Sequence, residues 1–134
     1  MFEITRISDD NPMYCSLAAE TKEEQAVIYN AMQNPTHKLS EFINQRVTFS
    51  NIFMEQVEIT DEDDDTVSRK AVRTVLITPE GEGIVATSNG VARSMYNLFK
   101  IFGTPETWED DMSVIVRQVE TARGRTFKLE VIVD

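Results

Sequence analysis

The sequence predicts a mainly β fold with helices: a five-stranded barrel, one helix between its third and fourth strands, and an N-terminal helical cap. The second two-thirds of the chain consists largely of short segments rich in Val, Ile, Phe and Thr, which favour strands. One strong helical pattern interrupts them. Residues 1–45 contain the other helical pattern and are too few to form a core alone. We therefore expect one domain, with a cap at 1–45 and a barrel at 46–134.

The interrupting helix lies between Gly83 and Gly103. Apolar residues at 84–86 predict a short strand, and the polar residues at 87–89 with Gly90 supply helix-start chemistry. Gly103 and Pro105 suit the end of the helix. Its apolar side chains recur with the 3.6-residue period of one helical face: Val91, Met95, Leu98, Phe99 and Phe102.

The N-terminal cap contains a second helix. Thr21 and Glu24 form a capping-box pattern, and the helix that they open is expected to run to about Gln33, before Asn34–Pro35. Short strands are expected at residues 2–7 and within 13–19. The helix should turn four apolar side chains inward: Val27, Ile28, Ala31 and Met32.

The barrel begins with a long strand over 46–60. Ile52 and Met54 have the opposite parity to the other apolar residues of this strand, which predicts a bend or bulge midway. Those other residues are Val47, Phe49, Phe53, Val57 and Ile59. Further strands are expected at 69–78, 84–86, 112–121 and 125–133, the last two joined by a hairpin containing Gly124. This order is that of the OB-fold, whose second and third strands and two flanking loops commonly bind oligonucleotides or oligosaccharides.

Charge divides the chain into two unlike halves. The net charge is −10, which argues against nucleic acid if taken alone. Residues 1–68 hold 4 Lys/Arg against 14 Asp/Glu, including an acidic loop at 61–65, whereas residues 69–134 hold 9 of each. The second half can therefore present a basic face, and a DNA path should avoid the acidic loop.

No motif points to catalysis, a cofactor or a metal. His37 lies in a polar turn, and Cys15 lies in an apolar segment with no second histidine to activate it. The Asp61, Asp63, Asp65 series resembles the start of a calcium loop, but Thr66 occupies the position of the required glycine. We therefore predict no enzyme, no cofactor and no metal site. The sequence also shows no apolar run that would span a membrane and no secretory signal, which predicts a cytoplasmic protein.

Cationic and aromatic residues on the predicted strands are the remaining functional feature. In the OB topology the first to third strands and the last hairpin border one groove. Cations in such a groove can contact phosphates while aromatic rings stack on bases. Phe49 and Trp108 are further aromatic candidates, although Phe49 shares its parity with Val47 and is expected in the core. The candidate nucleic-acid-binding residues are Arg46, Phe53, Arg69, Lys70, Arg73, Tyr96, Arg117, Arg123, Arg125 and Lys128. We expect Tyr96, which lies off the apolar face of its helix, to be exposed or at a rim.

Three segments, 38–52, 75–105 and 114–133, resemble the small single-stranded DNA-binding proteins of phages, including protein-primed phages, and of mobile elements of Gram-positive bacteria. The likeness covers about residues 20–133. It implies an OB-like fold, binding of single-stranded DNA without sequence specificity, and a role in replication or recombination in the host cytoplasm. Replication proteins and further copies of the chain are possible partners.

An alternative hypothesis is an acidic protein–protein interaction module. The acidic first half would then engage a host protein or a replication partner. Binding of single-stranded DNA at low salt distinguishes the two hypotheses, and both can hold for one chain.

Overall fold

The computed structural model describes residues 7–8, 11–17, 19–60, 68–122 and 124–133. Over this part of the chain the protein is mainly β, with two sheets and two α-helices, α1 (Lys22–Gln33) and α2 (Asn89–Phe102). The strands are β1 (Met13–Cys15), β2 (His37–Lys38), β3 (Arg46–Phe49), β4 (Asn51–Thr60), β5 (Ser68–Ile77), β6 (Gly83–Thr87), β7 (Met112–Thr121) and β8 (Gly124–Ile132). The predicted strand at 2–7, apart from Ile7, and the acidic loop at 61–65 lie outside the described residues.

The larger sheet has the strand order β1-β4-β5-β6-β2, and the smaller sheet has the order β3-β7-β8. All neighbouring strands are antiparallel except β2 and β6. Short 3-10 helices at Leu39–Phe42 and Pro105–Thr107 complete the elements. The main core lies between the two sheets and α2, and its fully buried side chains include Phe49, Ile52, Leu76, Met95, Phe99 and Val114.

The predicted bend in the long strand is confirmed at Ser50, which separates β3 from β4. Val47 and Phe49 point into the core before the bend, and Ile52 and Met54 point into it after the bend. The change of parity therefore reflects one strand segment that changes sheets: β3 pairs with β7, and β4 pairs with β5.

Helix α2 begins and ends where the sequence predicts. The Ser88 hydroxyl accepts a hydrogen bond from the Val91 N–H at 3.3 Å, and Gly103 ends the helix with φ of 78°. Val91, Met95, Leu98 and Phe99 are buried as expected. The prediction that Phe102 belongs to the buried face of α2 is wrong. This residue is 40% exposed, because the last turn of α2 extends beyond the core.

The two sheets do not close into the expected five-stranded barrel. Among the residues that the structure describes, no hydrogen-bonded ladder joins β6 to β8. The first turns of α2 lie along the free edge of β8 instead. A Cβ atom at Gly90 would overlap the Thr126 hydroxyl, and the Ser94 hydroxyl accepts a hydrogen bond from the Leu129 N–H at 3.3 Å. Helix α2 thus covers the edge of β8 that would pair with β6 in a closed barrel.

Helix α1 covers the outer face of the larger sheet. Thr21 caps its first turn, as predicted, by accepting a hydrogen bond from the Glu24 N–H at 3.1 Å. Ala31 is buried in a second, smaller cluster with Phe53, Val75 and Ile77. The helix sits so close to the sheet that a Cβ atom at Gly83 would overlap the Ala31 backbone.

No helix among the described residues is long and apolar enough to cross a membrane. The same residues contain no group of three or more His, Cys, Asp or Glu side chains arranged to hold a metal ion.

Candidate nucleic-acid interface

A groove of about 900 Å³ lies between the larger sheet and the β7–β8 hairpin. One wall is formed by the first residues of β5 and the end of β6, and the other by Thr121, Ala122 and the start of β8. Residues 88–90 and Arg93, from the N-terminal end of α2, also line it. The groove therefore occupies the gap that the missing β6–β8 ladder leaves.

Three arginine side chains surround this groove: Arg69 from β5, Arg93 from α2 and Arg125 from β8. All three residues are exposed, and the described lining of the groove includes no carboxylate. Arg125 forms an ion pair with Glu120 at 3.5 Å, and both side chains are largely exposed (69% and 80%). Such an exposed pair is weak and leaves Arg125 able to contact a phosphate instead.

The N-terminus of α2 adds to the positive potential of the groove. Aligned peptide dipoles give the start of a helix a partial positive charge, and its first N–H groups have no partners within the helix. Residues 88–90 contribute this end of α2 directly to the groove lining. The described lining of the groove is therefore positively charged, although the chain as a whole has a net charge of −10.

Phe127 supplies the aromatic ring of the groove. It is half-buried, packs against the main core and lines the groove beside Gly90. It is the only aromatic residue in the described lining. A ring held in this way, with part of its surface exposed, can stack on a nucleobase.

The close contact between α2 and β8 fixes these groups relative to one another. The hydroxyls of Ser88 and Thr126 lie 3.2 Å apart and share a hydrogen bond. Only a glycine at position 90 leaves room for the β8 backbone at this distance. This contact thereby sets the position of the start of α2 relative to Phe127.

The structure separates the predicted site residues. Arg69 and Arg125 line the groove, whereas Arg123 lies outside the described residues. Lys70 follows Arg69 in β5, so its side chain lies on the opposite face of the sheet, where Glu58 is its cross-strand partner. Arg73 donates a hydrogen bond from Nη2 to the Met32 carbonyl oxygen at 2.6 Å and so ties β5 to the end of α1.

Three other predicted cations, Arg46, Arg117 and Lys128, lie on the outer face of the smaller sheet. Arg117 and Lys128 are cross-strand partners, and Arg46 pairs with Ile115 two residues along β7. Arg46 donates a hydrogen bond to the Ser113 hydroxyl at 3.1 Å. Arg117 contacts Glu130 at 3.3 Å and donates to the Asn44 side-chain oxygen at 3.0 Å. The groove includes none of the three, and their contact with DNA stays a prediction.

The aromatic candidates on the strands and α2 are buried, which corrects the expected exposure of Tyr96. Phe53 is 3% exposed because α1 packs over it, and Tyr96 is 7% exposed. The Tyr96 hydroxyl, which was expected at a rim, accepts a hydrogen bond from the Ile7 N–H at 3.1 Å. Phe49 is fully buried. Rings without exposed faces cannot stack on a base in this conformation.

Trp108 is also far from the groove. Its indole N–H donates to the carbonyl oxygens of Phe102 and Gly103, at 3.2 and 2.9 Å, at the C-terminal end of α2. A helix of 14 residues is roughly 20 Å long, and the groove lies at the other end.

Sequence reasoning missed Arg93 and Phe127. Arg93 is on the polar side of a helix that the sequence identified by its apolar side, and Phe127 has the inward parity of Leu129 and Val131. Arg93 follows the predicted helix start by a few residues and Phe127 follows the predicted hairpin at Gly124, but only the packing of α2 on β8 brings the two together.

No arrangement of groups for catalysis emerges among the described residues. Cys15 is half-buried, and burial raises the pKa of its thiol, which keeps it in the weakly nucleophilic protonated form. Burial and the Glu106 carboxylate, which accepts a hydrogen bond from the Tyr14 hydroxyl at 2.9 Å, raise the pKa of Tyr14 far above its usual range.

A scan against protein-family models identified one family, described as phage single-stranded DNA-binding protein, of the phi29 phage type, over residues 8–131. Searches of curated proteins and of solved structures found no match. The family match spans both sheets, both helices and every described residue of the groove. The chain therefore belongs to the phi29-type family of phage single-stranded DNA-binding proteins.

Proposed function

We propose that the protein binds single-stranded DNA without sequence specificity, in the groove between the larger sheet and the β7–β8 hairpin. The observation that carries this proposal is the set of Arg69, Arg93 and Arg125 around a groove whose described lining has no carboxylate. The role that fits is protection of strands exposed during phage replication or recombination in the host cytoplasm. Strand order also supports an OB-like relationship, since the groove borders the second strand of that order and its last hairpin.

The chemistry of the groove favours general binding over base-specific binding. Arginine side chains and a helix N-terminus contact phosphates, which are the same at every nucleotide. Stacking on Phe127 tolerates any base, because every base has a flat π-face. Amide and carboxylate side chains recognise the edges of adenine and cytosine, and Asn89 is the only such side chain in the described lining.

Binding in this groove should depend on salt to a predictable degree. Each phosphate contact to single-stranded DNA contributes about −0.7 to the slope of log K against log salt, so three contacts give a slope of about −2. Affinity should therefore fall roughly 15-fold between 50 and 200 mM salt. Fluorescence anisotropy with labelled dT oligomers measures both the affinity and this slope.

Charge reversal on α2 provides the direct test. Arg93→Glu should lower affinity for a dT oligomer at least about tenfold and reduce the salt slope by about 0.7 or more. Lys100→Glu is the matched control, because Lys100 is an exposed cation on the same helix but in its last turn. If both variants weaken binding equally, only net charge matters and the groove is not the DNA site. Salt-independent binding by the unmodified protein would also refute the proposal.

A further inference from the structure

Three apolar side chains are exposed at the end of the molecule remote from the groove. Ile101 and Phe102, in the last turn of α2, are 72% and 40% exposed, and Val133, which follows β8, is 82% exposed. Single exposed apolar residues are common on protein surfaces, whereas contiguous ones mark interaction sites. The directions of α2 and β8 decide which case applies to these three.

Helix α2 runs along β8 in the same direction. Its contacts with β8 move from residue 126 at the start of the helix to Leu129 at Ser94. The stretch from Ser94 to Ile101 is roughly 10 Å long, which is the length of about three residues in a strand. Ile101 is therefore level with the last residue of β8, and Val133 follows directly. The three apolar side chains lie together.

Carboxylates flank these side chains. The Trp108 indole holds the segment after α2 against the helix end through its two hydrogen bonds. Because Ser113 pairs with Ile132, the chain then enters β7 beside Val133. The exposed residues before this entry are Glu109, Asp110 and Asp111, and the helix C-terminus adds partial negative charge. Lys100, in the last turn of α2, is an exposed cation nearby, so carboxylates are in excess. We call the surface formed by residues 101–102, 109–111 and 133 the acidic end.

Charge determines which occupant suits the acidic end. Nucleic acid and anionic lipid are repelled by its carboxylates and by the net charge of −10. A second copy of the chain, related by a two-fold axis, would bring the same carboxylates face to face. The complementary partner combines apolar side chains with positive charge. A basic amphipathic helix has this composition, because its apolar stripe recurs every three to four residues between cationic ones.

We propose that the acidic end docks a basic amphipathic segment of a different protein. The apolar side chains of that segment pack on Ile101, Phe102 and Val133, and its lysine or arginine side chains face the carboxylates at 109–111. The inference goes beyond the proposed function and does not depend on it, because the length of α2, roughly 20 Å, separates the acidic end from the groove. The chain can thus hold DNA at one end and a protein at the other.

The test uses a labelled helical peptide of leucine and lysine, with leucine along one face, and a scrambled peptide of the same composition. Fluorescence anisotropy with the full chain measures both affinities. The amphipathic peptide should bind at least about fivefold more tightly, because only this peptide presents a continuous apolar face. Phe102→Ser should remove most of this preference. Tyr29→Ser is the matched control, since Tyr29 is a 58% exposed aromatic residue on α1, and it should leave the preference unchanged.

A second pair of variants tests the charges. Asp110→Lys should weaken binding of the amphipathic peptide about fivefold more than Glu23→Lys does, because both change the net charge equally but only Asp110 belongs to the acidic end. Circular dichroism establishes that each variant is folded. If Phe102→Ser does not fold, Ile101→Ser replaces it, because Ile101 is more exposed than Phe102.

Three results would overturn the inference. Equal binding of the two peptides, or equal effects of Asp110→Lys and Glu23→Lys, would mean that net charge alone attracts the peptide. Self-association of the unmodified chain in sedimentation that is lost in Phe102→Ser would assign the surface to a second copy. Failure of the unmodified chain to bind dT oligomers would instead refute the proposed function and leave the peptide result standing, since the peptide assay contains no DNA.

Discussion

Replacement of Gly90 by alanine tests whether the contact between α2 and β8 shapes the groove. Gly90 is the second residue of α2, where alanine is favoured over glycine by up to about 1 kcal/mol. Helix propensity alone therefore predicts a more stable protein. Against this, the added Cβ would overlap the Thr126 hydroxyl and lie 2.5 Å from the Phe127 carbonyl oxygen. A threonine side chain can rotate away, but the β8 backbone cannot.

The opposing effects can be compared in magnitude. Relief of the overlap needs a movement of about 1 Å between α2 and β8, and overpacking of this kind costs about 1–3 kcal/mol. The same movement weakens the Ser88–Thr126 and Ser94–Leu129 hydrogen bonds, at 3.2 and 3.3 Å, each contributing about 1 kcal/mol. The net expectation is a destabilisation of about 2 kcal/mol. For a chain of this length that lowers Tm by roughly 8 °C.

Thermal denaturation followed by circular dichroism measures the change in Tm, and anisotropy with a dT oligomer measures the effect on the groove. DNA affinity should fall as well, because the movement separates Arg93 from Arg125 and Phe127. Asn97→Ala, at an exposed position on the same helix, is the control and should raise the free energy of unfolding by up to about 0.5 kcal/mol. A Gly90→Ala protein that melts at or above the wild-type temperature would refute the reasoning.

Three further changes probe single side chains. Phe127→Leu keeps an apolar contact with the core but removes the flat ring. The free energy of binding to dT oligomers should therefore become less favourable by about 1–3 kcal/mol, and the free energy of unfolding should change by less than that. Thr74→Val should raise the free energy of unfolding by about 1 kcal/mol, because the Thr74 hydroxyl is buried with no hydrogen-bond partner among the described residues. Glu120→Gln should strengthen DNA binding about two- to fivefold at low salt, because it removes the carboxylate that competes with phosphate for Arg125.

Each of these has a clear contrary outcome. Unchanged affinity of Phe127→Leu would mean that no base stacks on the ring. A lower Tm for Thr74→Val would mean that its hydroxyl has a partner in solution, such as a buried water. An effect of Glu120→Gln that persists at high salt would not be electrostatic, since exposed charges are screened there.

Local patterns predicted the parts of the fold that local chemistry determines. The caps at Thr21 and Ser88, the end of α2 at Gly103 and the bend at Ser50 all follow from residues within a few positions of each feature. The sequence patterns did not reveal that the barrel stays open, because closure depends on the distance between α2 and β8. That distance is set by Gly90 meeting a strand more than 30 residues later, and no sequence period records such a contact.

The same limit applies to the site. Tyr96 lies off the apolar stripe of α2, yet the Ile7 N–H, far away in sequence, contacts its hydroxyl and the side chain is buried. Arg73 carries the charge expected of a DNA contact but bonds to the end of α1. Arg69 and Arg125 were predicted from strand order, which places the start of one strand near the last hairpin. Arg93 and Phe127 required the packing itself to be known.

The position of Trp108 has a practical consequence for the study of this protein. Its indole is bonded to two carbonyl oxygens at the end of α2 remote from the groove, and it is the only tryptophan in the chain. Its emission should therefore change when the protein unfolds but barely respond when a base stacks on Phe127. An emission spectrum recorded beside labelled-oligomer anisotropy would then distinguish variants that no longer fold from variants that fold but no longer bind DNA.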